Sequence, residues 1–230
     1  MPKKIANAAA VHTCHGASIR LTAGLVAMTL LPSAGSISAG DGKLSGLPSL
    51  ILGGQTADAP TYNFEQPLVE RVKTPQLDIV LDKTTLEDIK AAFGGEIRTR
   101  SAGNIAVGWL CYTIPARDRQ HRVWFIADGE DASGAKPTLT MVSVEDTAES
   151  RDDCDKGQFD VSSWRLPVPT LGGNPDSLRQ RFGNAPDEGI VRYAHENPGG
   201  NAGAGLSQSL VYRLKGGQID GLAFSQETSR

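Results

Sequence analysis

The chain has 230 residues, with 23 Lys and Arg against 26 Asp and Glu and a formal net charge of −3. That balance argues against a nucleic-acid partner, which needs a concentrated basic footprint, and it gives no support to adsorption on an anionic membrane surface. The length suits one large or two small domains.

Residues 1–39 read as a signal peptide. Lys3, Lys4 and Arg20 precede the apolar run 21–31, Pro32 breaks it, and small residues follow to Gly40. A positive n-region, an apolar stretch of about 7–15 residues and a small-residue exit make a secretory signal. The run is short of the roughly 20 apolar residues that span a bilayer. Cleavage is expected near Ala39, releasing a bacterial periplasmic or secreted protein with no stable membrane span. Cys14 leaves with the signal. Cys111 and Cys154 remain, and in an oxidising compartment an isolated pair is read as one disulfide.

Residues 40–76 are rich in Gly, Pro, Ser and Thr, with Leu50-Ile51-Leu52 as one apolar island. They are expected to form a flexible lead-in, with Tyr62 and Phe64 on a short edge strand bounded by Pro60 and Pro67. Residues 77–147 read as a first α+β unit. A short strand over 77–81 leads to a helix that opens with a Thr84/Glu87 capping box. Leu86, Ile89 and Phe93 share one face of that helix, and Gly94-Gly95 stops it. Strands are expected over 105–112, 122–127 and 138–144. Residues 148–165 form an acidic linker carrying Cys154, with a further short strand over 161–166.

Residues 166–230 read as a second unit. Asn174 is an N-cap, Pro175 suits the first helical position, Leu178 and Phe182 face one side, and Gly183 stops the helix. A strand over 189–194 and a hairpin over 209–224, turning at Gly216-Gly217, follow. Aligned on Phe93-Gly94 and Phe182-Gly183, the two segments share the order helix, then meander. The expected fold class is therefore α+β: two tandem small units, each a short helical segment packed on an antiparallel β-meander.

A capped short helix ending at Phe-Gly and followed by a meander, in an exported chain, resembles the BamE/SmpA-like outer-membrane assembly lipoproteins. It is also similar to the tandem repeats of the β-lactamase inhibitory protein. The resemblance covers residues 77–147 and 166–228 and implies a concave protein-binding face. This chain has no lipoprotein cysteine and no separate disulfide in each repeat, so no binding residue is carried over.

The residues contain no Gly-x-Ser-x-Gly elbow, His-Glu-x-x-His motif or phosphate-binding glycine loop, and no cofactor or metal is expected. Asp152-Asp153-Cys154-Asp155 offers hard oxygens for calcium but lacks the regular spacing of an EF-hand. The loop residues Arg117, Arg119, His121 and Arg122, with Arg98 and Arg100 nearby, form a basic cluster. Trp109 and Trp124 sit on adjacent strands, either in the core or on an aromatic platform. The sequence thus points to a non-catalytic exported protein-binding module, an inhibitor or an envelope-assembly factor. Its partner is expected to be an envelope or extracellular protein and not nucleic acid, with Trp109, Trp124, Arg117 and Arg119 as contact residues. The alternative is a periplasmic hydrolase using His195 and Glu196, or Asp187.

Overall fold

A computed structural model describes residues 43–102, 105–116, 119–129, 136–148, 153–198 and 205–229. The expected signal peptide, Arg117, Asp152 and the glycine-rich stretch 199–203 lie outside them. Among the described residues, three α-helices, α1 (Gly46–Leu52), α2 (Leu86–Phe93) and α3 (Pro175–Phe182), accompany eleven strands. In chain order the strands are β1 (Thr61–Phe64), β2 (Val72–Lys73), β3 (Asp78–Ile79), β4 (Arg98–Ala102), β5 (Ile105–Pro115), β6 (Gln120–Gly129), β7 (Met141–Thr147), β8 (Asp155–Lys156), β9 (Gly189–Asn197), β10 (Gly205–Lys215) and β11 (Gln218–Ser229).

Nine of these strands make one mixed sheet in the order β1-β9-β10-β11-β7-β6-β5-β4, with β8 beside β5. This overturns the expectation of two tandem helix-on-small-sheet units. The meanders β4–β7 and β9–β11 do not close separately. Their last strands pair antiparallel, from Gly221↔Glu145 to Ser225↔Met141, so backbone hydrogen bonds run unbroken across both. The two halves share one core cluster as well, which runs from Leu86 and Phe125 to Phe182 and Tyr212.

Both Phe-Gly helix ends close at a positive-φ glycine. Gly94 and Gly183 take φ of 78° and 84°, where a Cβ would be strained, and each N–H returns to the helix, to Lys90 O and Arg179 O. A strand tyrosine then fastens each end. Tyr112 donates to Gly94 O and Tyr193 to Asn184 O, both at 2.6 Å. Phe182 stacks on Tyr193 with ring centroids 4.1 Å apart. Burial raises the pKa of both phenols, that of Tyr193 to about 12, so each stays a donor at neutral pH. The capping box lies one residue later than expected: Thr85 and Asp88 form it, while Thr84 Oγ1 accepts from Val80 N at 2.9 Å.

The other face of the sheet carries a second layer. The supposed lead-in supplies α1, whose Leu47 packs on Val211 and Ala223. It also supplies β1, which pairs in parallel with β9 at the sheet edge. Trp109 and Trp124 lie on this face with Cys111, Cys154, Ile126 and Met141. Cys111 and Cys154 are disulfide-bonded, with Cα atoms 4.8 Å apart. From Cys154 the chain passes the edge of β5 through β8 and reaches the helix face, where Phe159 and Trp164 stack at 5.8 Å.

The disulfide spans 43 residues of sequence, and the chain-entropy model assigns a loop of that size about 4 kcal/mol. The Cys111→Ala/Cys154→Ala double variant is expected to lose about 2–4 kcal/mol of unfolding free energy. Urea denaturation with and without reductant checks this: parent and variant should differ only when the parent is oxidised.

Candidate functional site

On the helix face, over the junction of β7 and β11, the sheet is roofed by the segment that follows β8. Between roof and sheet lies an open groove of about 490 Å³. Val144, Leu222 and Phe224 form its floor, and Val161, Trp164 and Leu171 line the roof side. The segment expected as a linker is therefore a wall of this site. Val161–Ser163 is a 3-10 turn capped by Asp160, whose carboxylate accepts from Ser162 N and Ser162 Oγ. A strand was expected there, but Asp160 offers the backbone a closer partner than any neighbouring strand.

The polar end of the groove follows from strand register. His121 on β6 lies directly opposite Asp146 on β7, so both side chains leave the same face of the sheet. His121 Nδ1 is 2.7 Å from Asp146 Oδ1, and Arg119 Nη1 donates to Asp146 Oδ2 at 2.6 Å. The Asp146 side chain is 11% exposed. Burial alone would raise its pKa, but the hydrogen bonds from His121 and Arg119 outweigh that and hold it below the usual carboxylate value. An ionised Asp146 makes His121 Nδ1 the donor. Nε2 is then the ring's free position, an acceptor in the neutral imidazole, and no hydrogen bond reaches it among the described residues.

The arrangement offers a pocket of ligand-binding size with mostly apolar walls and a few convergent polar groups at one end. It holds half of a general-base apparatus. Ser162 lines the same groove, but its hydroxyl is committed to Asp160 at 2.6 Å, and no nucleophile is hydrogen-bonded to His121 among the described residues. Trp164 is buried, and its Nε1 has no acceptor there.

Of the residues singled out from sequence, Arg119 and His121 reach this site. Arg122, their neighbour, faces the opposite side and is buried against Glu145. Arg98 is held by Asp155 at 3.2 Å, which occupies a carboxylate considered for calcium. Trp109 and Trp124 are 2% and 1% exposed and packed around the disulfide. They are core, and the aromatic platform is corrected accordingly. The His195–Glu196 alternative fails on geometry. His195 is buried with Nδ1 3.0 Å from Phe64 O, Glu196 is exposed on the other face, and Asp187 pairs with Arg179 at 2.5 Å. Asp146, Trp164, Leu171 and Leu222 were not foreseen; only the His121–Asp146 register joins them to the basic cluster.

No family model matches the chain, and no curated protein or solved structure gives a significant match. Among the described residues no helix is long and apolar enough to cross a membrane.

Asp146→Asn is expected to cost about 2 kcal/mol at neutral pH, since hydrogen bonds to a charged partner contribute about 1.5–3 kcal/mol. The Asp146 pKa is lowered in the folded state. Its contribution is therefore complete above the unfolded carboxylate value of about 4 and fades as pH falls through the lower folded value. Denaturant curves of parent and variant at pH 7 and pH 3 measure this; a gap that widened on acidification would contradict the assignment.

Proposed function

We propose that this chain is an exported, non-catalytic binding protein. In this reading its groove over the β7–β11 junction receives an apolar side chain or short segment of an envelope or extracellular protein. One observation carries it: an open, largely apolar trough ends in a prepared hydrogen-bonding group, His121, oriented by Asp146 and Arg119. The apolar floor supplies contact area, and His121 Nε2 supplies a directional contact with a hydroxyl or amide of the partner. The signal-like N-terminus and the disulfide support placement in an oxidising compartment. A hydrolase reading now rests on the His121–Asp146 pair alone and would require water as the nucleophile.

A photocrosslinking side chain at Val161, which lines the groove, tests the binding reading against the same probe at Lys215 on the distant hairpin turn. A single partner should crosslink from position 161 and not from 215. Leu171→Glu should weaken that partner's binding at least tenfold, about 1.4 kcal/mol. Turnover of an ester or glycan panel that His121→Gln abolishes would replace this function with hydrolysis.

Compartment has its own measurement. Mass spectrometry of the protein recovered from an expressing bacterium should show about forty N-terminal residues removed and Cys111 linked to Cys154. An intact N-terminus with free thiols would sink the exported reading.

A further inference from the structure

A second cleft, which shares Leu166 with the groove, concentrates positive charge in a chain whose net charge is −3. It has a volume of about 470 Å³ and lies between β2, the backbone around Arg165 and the C-terminal end of α3. Lys73, Arg165, Arg181 and Arg71 line it, with Glu70 as its acidic residue. Lys73 and Arg165 form an antiparallel bridge. Arg165 N donates to Lys73 O at 2.9 Å, and Lys73 N donates to Arg165 O at 3.2 Å. Directly opposed residues of such a bridge project to the same side, so two cationic side chains stand next to each other. Like charges in that relation are destabilising.

Asp78, directly opposite Lys73 on β3, and Glu70 in the cleft offset this repulsion only in part among the described residues. Neither the Lys73 nor the Arg165 side chain has a hydrogen bond or ion pair there. Arg181 adds a third cation in a fixed place. Its Nε donates to Pro167 O at 3.4 Å, and its guanidinium lies 5.2 Å from the centre of the Phe182 ring. Both contacts leave the Nη donors of the fork available to a ligand. Arg71 is half-exposed and pairs only at 3.7 Å with Asp78. A cleft with four cations against Glu70 and Asp78, and with donors left open, is matched by an anion that bridges several cations at once.

We propose that this cleft binds a multivalent oxyanion, a ligand carrying two or more phosphate or sulfate groups, through Lys73, Arg165 and Arg181. The oxyanions supply acceptors for both guanidinium forks and the ammonium and remove the repulsion across the bridge. A single carboxylate reaches fewer of these donors and binds weakly.

Calorimetric titration of the protein with tripolyphosphate, with a sulfated disaccharide and with acetate in 20 mM salt tests this, at about a tenth of physiological ionic strength so that screening is small. Saturable 1:1 binding of tripolyphosphate, of the disaccharide or of both is expected, with none for acetate. Which of the two binds more tightly identifies phosphate or sulfate as the source. The Lys73→Gln/Arg165→Gln variant should weaken binding at least tenfold while its ligand-free Tm stays close to that of the parent, since both side chains are exposed. The proposal is overturned if neither multivalent probe saturates or if the double variant binds as the parent does.

Discussion

The pairing of β11 with β7 is the constraint on which the rest of the structure depends. Five residue pairs, from Gly221↔Glu145 to Ser225↔Met141, join two meanders into one sheet. The seam is closed on both faces. On the helix face Leu222 meets Val144 and Phe224 meets Val142 in register. On the other, Glu145 accepts from Arg213 at 3.0 Å and from Leu47 N at 3.1 Å. Gly221 permits that close approach, since a Cβ there would lie 3.2 Å from Leu47 and 3.3 Å from Arg213.

A buried carboxylate across a seam is weak evidence for stability, because desolvation offsets much of the attraction. Its value here is one of register. Shifting β11 by one residue would turn Leu222 and Phe224 to the wrong face and leave Glu145, 2% exposed, without Arg213. The seam therefore specifies one arrangement. The groove inherits that definition, since Val144 and Asp146 come from β7 and Leu222 and Phe224 from β11. Neither meander alone contains the site.

The roof is the other essential part, and the disulfide positions it. Cys154 is tied to Cys111 on one face of the sheet, and the chain then turns round the edge at β8 to place Phe159 and Trp164 on the other. A segment read as a solvated linker thus becomes a wall. Its acidic composition gave no warning, because the residues that anchor it, Phe159 and Trp164, are isolated aromatics without a period. Conversely, the basic run around Arg119 reads as a single loop cluster, yet its alternation sends His121 to the groove and Arg122 to the buried seam.

The sequence by itself determined the local structure where short-range forces decide. Asn174, Pro175 and Gly183 bound α3, Phe93-Gly94 ends α2, and Gly216-Gly217 turns the last hairpin. It also paired the two cysteines, because only two remained in the segment read as mature. Whether the meanders would stay apart or fuse was left to the tertiary structure. A strand edge carries the same backbone donors and acceptors whichever partner it meets, and the choice falls to side-chain packing over distances of 76 residues and more, as between Glu145 and Gly221. The opposition of His121 to Asp146 and of Lys73 to Arg165 was decided at that level too. Both sites arise from pairs that become neighbours only when segments apart in the sequence come into register.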